Sequence, residues 1–177
     1  MTASYTTEEI LHIGPISTVY MARHVQSGRR IVIKSLHAEY PSSSDLALLQ
    51  NEFDITQFLE PYGFRKVIEF SQFSGRPALF LEYLPGVPLS LLPTPVSIDF
   101  FLSLALPLVA QLVSIHWLDV FHRDIKPHNI FLTEGNSGYP FFVKVLDFGV
   151  AKMLRDTQVP EATSLTETGT SSDLPPT

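Results

Sequence analysis

The sequence lacks cysteine altogether and has no long run of basic residues. Without thiols the chain forms neither disulfides nor thiolate metal sites. No Lys/Arg block is longer than a pair such as Arg29-Arg30, and the formal net charge is −6. Nucleic acids and anionic membranes bind through basic surfaces, so this charge pattern disfavours both kinds of partner.

Secretory and membrane-spanning segments are not predicted either. Residues 1–9 are polar and acidic, which excludes a secretory signal there. The most apolar run, residues 98–120, is interrupted by Asp99, Pro107 and Asp119. A membrane span needs about 20 predominantly apolar residues. We therefore predict a buried core helix in this run, no membrane span, and a cytoplasmic protein.

The N-terminal half has the β-branched and aromatic runs that are typical of strands. They occupy residues 10–36, 64–73 and 78–84, and Ser27-Gly28 provides a hairpin turn within the first. A helix is predicted from Leu46 to Leu59, where apolar residues partly follow helical spacing. This half therefore reads as five strands and one helix.

Proline and glycine at Pro85–Pro88 interrupt that pattern and favour a boundary between two lobes. A long helix is predicted at about 98–118, with Ser97 as its N-cap. Two short strands follow, at 130–132 and 142–146. Residues 156–177 are rich in Thr, Ser and Pro and contain no aromatic residue, so we predict a flexible tail.

Two motifs in the second half carry a family resemblance. The segment His122-Arg123-Asp124-Ile125-Lys126-Pro127-His128-Asn129 resembles the catalytic loop of protein kinases, and Asp147-Phe148-Gly149 resembles their metal-binding motif. The resemblance covers about residues 5–155. It implies an α+β, two-lobed protein kinase-like fold, with a five-stranded antiparallel sheet and one helix in the N-terminal lobe. The C-terminal lobe is expected to be mostly helical and incomplete.

The resemblance also implies roles for these side chains, with ATP and Mg²⁺ as cofactors. Asp124 would orient the proton of the attacking hydroxyl, and Lys126 would neutralise the transferred phosphate. Asn129 and Asp147 would supply the hard oxygen ligands that Mg²⁺ prefers. Lys126 resembles the Ser/Thr form of the loop, so the expected substrate is a protein Ser or Thr hydroxyl.

Upstream, Ile31-Val32-Ile33-Lys34 resembles the strand whose lysine holds the α- and β-phosphates. The resemblance implies a glutamate partner on the following helix. Glu52 is the first candidate, and Glu60, at the helix end before Pro61, is the second. Lys34 and Glu52 thus join Asp124 and Lys126 as the expected catalytic residues.

The expected nucleotide-binding residues include the segment Leu81–Leu84, which resembles the gatekeeper and hinge of the family. The backbones of Glu82 and Leu84 would bind the adenine edge. The remaining members of the expected site are Leu11, Gly14, Val19, Val32, Lys34 and Phe131.

The glycine loop departs from the family pattern. Aligned through Val19-Tyr20, the loop keeps the middle glycine, Gly14, while His12 and Ser17 stand at the other two glycine positions. Glycine lets backbone N–H groups approach phosphate closely, whereas Pro15 has no N–H to offer. We expect weaker nucleotide binding here, and not its loss.

Three segments are predicted: an N-terminal lobe at 1–84 with its hinge at 82–85, a partial C-terminal lobe at 85–155, and an activation-segment remnant at 156–177. The family pattern continues with further helices after this point. A partner chain or a missing domain is therefore expected to cover the incomplete lobe.

Two functions remain open at the level of sequence. The first is a Ser/Thr protein kinase that transfers the γ-phosphate of Mg-ATP. The alternative is a truncated remnant or pseudokinase that binds a nucleotide or a partner without catalysis. A small-molecule phosphotransferase is disfavoured, because Lys126-Pro127 is the protein-kinase form of the loop.

Overall fold

The computed structural model describes residues 5–136 and 139–154. The tail predicted over 156–177 lies outside the described residues. The N-terminal lobe consists of β1 (Tyr5–Ile13), β2 (Ser17–His24), β3 (Arg30–Leu36), α1 (Ser43–Leu59), β4 (Val67–Phe73) and β5 (Arg76–Glu82).

The five strands form one antiparallel sheet, as predicted, and their order in it is β1-β2-β3-β5-β4. The middle strand, β3, is the β-branched run Ile31-Val32-Ile33, and all three of these side chains are buried. Because β3 is held on both sides, Lys34 has a fixed register between Val19 of β2 and Leu79 of β5. The sheet therefore positions this lysine rigidly.

Helix α1 packs across β4 and β5. It begins at Ser43, three residues before the predicted start, because Ser42 is its N-cap: the Ser42 hydroxyl accepts the backbone N–H of Asp45 at 3.1 Å. Its buried face carries Leu49, Ile55 and Leu59 together with two polar residues, Glu52 and Thr56. A buried carboxylate on this face needs a cationic partner.

The second lobe holds one α-helix and short strands within its described residues. These are β6 (Gly86–Pro88), α2 (Ile98–Trp117), β7 (Val120–Phe121), β8 (Ile130–Asn136), β9 (Tyr139–Val145) and β10 (Lys152–Met153). They form a β6-β8-β9 sheet and a β10-β7 pair. Ser97 caps α2 as predicted, accepting the N–H of Phe100 at 3.2 Å.

The prediction that the apolar run is a buried core helix is wrong for the described residues. Only Leu104 and Ile115 of α2 are buried, because β7, β8 and β9 cover one side of the helix. By length and composition alone, α2 is the one described helix that could cross a membrane, a test that core helices of soluble proteins also pass. Its exposed apolar residues are Ile98, Phe101, Leu102, Leu106, Val109, Val113 and Trp117.

A shared core joins the two lobes below the cleft. Ile55 and Leu59 of α1 pack with Ile115 of α2, Val145 of β9 and Phe148. The aromatic ring of Phe148 thus lies in the same cluster as the helix that carries Glu52. The metal-binding motif and α1 are consequently held together by packing as well as by charge.

Gly86, at the start of β6, cannot accept a side chain. Its φ is +151°, and a Cβ atom there would lie 2.0 Å from the carbonyl oxygen of Leu132 on the paired strand β8. Gly86→Ala should lower the free energy of unfolding by about 3 kcal/mol in urea titrations. Gly28→Ala is the matched control: φ is also positive, at +68°, but nothing lies within 4 Å. That control should cost about 1 kcal/mol, and equal losses in the two variants would contradict the steric argument.

Candidate active site

Lys34 bridges two carboxylates that come from different lobes. Its Nζ lies 2.6 Å from Glu52 Oε2 on α1 and 3.0 Å from Asp147 Oδ1 after β9. The ion pair predicted between Lys34 and Glu52 is therefore present. Glu60, the second candidate, instead lies 3.3 Å from the exposed Lys66.

The charged groups in this cluster shift one another's pKa values. Burial alone would lower the pKa of Lys34, but the carboxylates of Glu52 and Asp147 outweigh it and raise this pKa. Burial raises the pKa of Glu52 against the opposing attraction of Lys34. Burial also acts to raise the pKa of Asp147, but Lys34 outweighs it and the net shift is downward. Lys34 is thus held charged, with Asp147 ionised beside it.

The catalytic-loop side chains converge on Asp124. Lys126 Nζ lies 2.6 Å from Asp124 Oδ2, and Asn129 Nδ2 donates to the same oxygen and to the Asp124 carbonyl, each at 2.9 Å. Asn129 is buried, while Lys126 and Asp124 face the solvent. The sequence-predicted trio is thus assembled, with Asp124 at its centre.

His122 is a buried structural residue of this loop. One ring nitrogen, Nδ1, accepts the backbone N–H of Asp124 at 3.3 Å, so Nε2–H donates to the carbonyl of Leu146 at 2.9 Å. Burial lowers the pKa of His122, which favours the neutral ring that these two bonds require. The ring also packs against Phe148. His122 therefore connects the catalytic loop to the segment that carries Asp147.

Backbone strain marks both motifs. Arg123 and Asp147 are non-glycine residues with φ of +66°. Left-handed backbone at such residues costs about 1–3 kcal/mol and clusters at functional sites. One left-handed residue directly precedes Asp124, and the other is Asp147 itself.

Asn129 and Asp147 fit a magnesium site by the chemistry of their donors. The backbone carbonyl of Asn129 accepts the N–H of Leu146 at 2.8 Å, which brings the two ligand candidates close together. Within the described residues, the side-chain hydrogen bonds of Asp147 all use Oδ1, and those of Asn129 use its amide nitrogen. The second oxygen of Asp147 and the amide oxygen of Asn129 are thus left for a cation. No cluster of three or more His, Cys, Asp or Glu side chains suited to a metal occurs among the described residues, so nucleotide phosphates and water would complete the coordination.

The expected base-binding residues come from both lobes. Val32 is buried and Val19 packs against the same cluster, below the sheet. Phe131, on β8, pairs with Pro88 of β6. Leu11 lies at a bulge in β1 and is half exposed.

The glycine loop between β1 and β2 is a tight turn in which Gly14 N–H donates to the carbonyl of Ser17 at 2.9 Å. This N–H is therefore already used inside the turn. Pro15 has none, so two adjacent positions at the tip offer no free backbone donor to a phosphate.

Comparison with known proteins places this geometry in a family. The family model described as "Protein kinase domain" matches residues 5–175. The chain belongs to the protein kinase family. It is 35% identical to serine/threonine-protein kinase Pkn1 of Myxococcus xanthus over 84% of this chain and 21% of that protein. It is also 29% identical to pkn3 of the same organism over 93% of this chain and 30% of that protein. For PrkC of Bacillus subtilis the identity is 25%, over 91% of this chain and 25% of that protein. The chain thus spans less than a third of these curated relatives.

One residue of this kinase domain that the sequence analysis missed is Asn51. Its Nδ2 lies 3.2, 2.9 and 3.0 Å from the carbonyl oxygens of Phe148, Gly149 and Ala151. Asn51 therefore fastens α1 to the segment after Asp147, beside the ion pair made by Glu52. Its position next to Glu52 in the sequence was the available signal, but the carbonyl partners are visible only in the fold.

Proposed function

We propose that this kinase domain transfers the γ-phosphate of Mg-ATP to a Ser or Thr hydroxyl of a protein. The observation that carries the proposal is the double contact of Lys34 with Glu52 and Asp147, which joins both lobes at a single cation. Pkn1, pkn3 and PrkC are named as serine/threonine-protein kinases, which supports the same reaction and substrate class.

The proposed role of each residue follows from its position in the site. Lys34, kept in register by β3, would hold the α- and β-phosphates through its Nζ. Asp124 would accept or orient the hydroxyl proton of the substrate through a carboxylate that Asn129 fixes in place. Lys126, already at Asp124, would face the transferred phosphate. Bound magnesium, held through Asn129 and Asp147, would neutralise phosphate charge.

A second candidate is nucleotide or partner binding without transfer. The observation that favours it is the glycine loop, where the N–H of Gly14 is taken by Ser17 and Pro15 has none. The exposed apolar side of α2 also offers a surface for a partner chain or a further domain.

A transfer assay separates the two candidates. The chain is incubated with radiolabelled ATP and a mixture of Ser-, Thr- and Tyr-containing peptides, with Mg²⁺ or with a chelator. We expect label on Ser and Thr, none on Tyr, and none with the chelator. Magnesium-dependent ATP binding with no label above the blank would support the second candidate. Absence of both ATP binding and transfer would contradict the kinase and the nucleotide-binding form of the second candidate, and would leave partner binding.

A further inference from the structure

Arg65, two residues before the start of β4, places a guanidinium against the hinge. Its Nε donates to the carbonyl oxygen of Glu82 at 2.9 Å. The side chain lines a small cavity together with Glu52, Leu81 and Asp147. Arg65 therefore lies between the hinge and the charged cluster around Lys34, and nothing in the reaction proposed above uses it.

The Arg65 guanidinium has N–H groups that are open to solvent or to a ligand, since none of its nitrogens is among the buried, unpartnered side-chain atoms of the described residues. Within residues 5–136 and 139–154 the bond to Glu82 is its one hydrogen bond, and no carboxylate there forms an ion pair with it. Burial lowers the pKa of Arg65 to about 10, although Glu52 and Glu82 partly offset this effect. A partly buried cation with free N–H groups is stabilised by any ligand that supplies an acceptor at this point.

The position of Arg65 identifies the ligand atom that would meet it. The family resemblance implies that the purine edge lies along the backbone of Glu82 and Leu84. The group next to the Glu82 carbonyl is then the substituent at C6 of the base. In adenine it is an amino group, which donates, and a second donor on Arg65 gains nothing from it. In a 6-oxopurine held in the same position it is an oxygen, which would repel the Glu82 carbonyl unless a donor lay between them.

We propose that Arg65 is a specificity-determining residue that lowers the preference of the site for ATP over 6-oxopurine nucleotides. The guanidinium donates one N–H to the Glu82 carbonyl oxygen and another to the oxygen at C6 of the base. It thereby offsets the repulsion between these two oxygens. This inference rests on the proposed nucleotide site and deepens it by naming the class of base.

Calorimetric titration with Mg-ATP and Mg-ITP tests the inference, because their bases differ at C6 and the adjoining ring nitrogen. In the wild-type chain the two dissociation constants should lie within about tenfold of each other. Arg65→Met should raise the ratio of Kd for ITP to Kd for ATP by about tenfold, as expected for a lost hydrogen bond to a charged donor. Lys66→Met is the matched control, since Lys66 is the next residue and its side chain is 60% exposed. It should leave the ratio unchanged.

The outcomes are distinct. An unchanged ratio in Arg65→Met, with both nucleotides still bound, overturns the role of Arg65 and leaves the nucleotide site intact. Failure of the wild-type chain to bind either nucleotide overturns the proposed function instead. Circular dichroism melting checks that each variant folds. If Arg65→Met does not fold, Arg65→Gln provides the same comparison, with a polar side chain that has lost the charge.

Discussion

Asp124→Asn should reduce phosphoryl transfer about a thousandfold while leaving the affinity for Mg-ATP within about twofold of wild type. The carboxylate is the group proposed to take the hydroxyl proton, and an amide cannot do so at neutral pH. The shape of the site survives, because the amide oxygen can still accept from Lys126 Nζ and Asn129 Nδ2, which lie 2.6 and 2.9 Å from Asp124 Oδ2. Single-turnover transfer and equilibrium binding, measured on the same preparation, separate the two effects.

Asp119→Asn is the matched control for this substitution. Asp119 lies in the same lobe, is exposed and has a left-handed backbone with φ of +56°, which asparagine also tolerates. It should leave transfer unchanged. A similar loss in both variants, or transfer by Asp124→Asn within threefold of wild type, would remove Asp124 from the proposed chemistry.

The parts of the fold that the sequence predicted are those with local causes. The β-branched run Ile31–Ile33 favours a strand through its own side chains, and Ser97 followed by an apolar run marks the start of α2. The start of α1 was missed by three residues. Pro41-Ser42-Ser43-Ser44-Asp45 contains several competent N-caps, and only the bond from the Asp45 N–H selects Ser42.

The predicted site residues are also brought together where their spacing is short or their motif is specific. Asp124, Lys126 and Asn129 lie on a single loop, and Lys34 meets Glu52 as expected. Their roles in binding and transfer stay predictions until activity is measured.

The contacts that the sequence did not predict are long-range and made by polar side chains. Asn51 reaches carbonyl groups 97 to 100 residues away, and Arg65 reaches the hinge carbonyl of Glu82. Neither contact leaves a periodic or spaced signal, because backbone carbonyls are present at every residue. The exposure of α2 was missed for a related reason: its apolar pattern reports a tendency to be covered, and burial depends on which other elements lie against it.

Glu52→Gln should lower phosphoryl transfer about a hundredfold with a smaller change in nucleotide affinity. Glu52 is 4% exposed and lies 2.6 Å from Lys34. Glutamine keeps the size of the side chain but removes the charge that holds Lys34 between the lobes, so Lys34 is left to Asp147 alone. Glu60→Gln is the matched control, since Glu60 contacts only the exposed Lys66 at 3.3 Å among the described ion pairs. It should alter transfer less than twofold and stability by about 0.5 kcal/mol or less.

Glu52→Gln should also change how the free energy of unfolding depends on pH, which simple damage to the helix would not do. Because burial raises the folded-state pKa of Glu52 above its ordinary 4.5, the folded chain binds this proton more tightly than the unfolded chain. Its contribution to the free energy of unfolding is thus largest below pH 4.5 and declines as pH rises through the folded-state pKa. Glu52→Gln removes that decline, so above pH 4.5 the stability measured by urea titration should fall less, or rise more, with pH in this variant than in wild type and in Glu60→Gln. A variant curve parallel to wild type, displaced by a constant amount, would show that Glu52 titrates alike in the folded and unfolded chains.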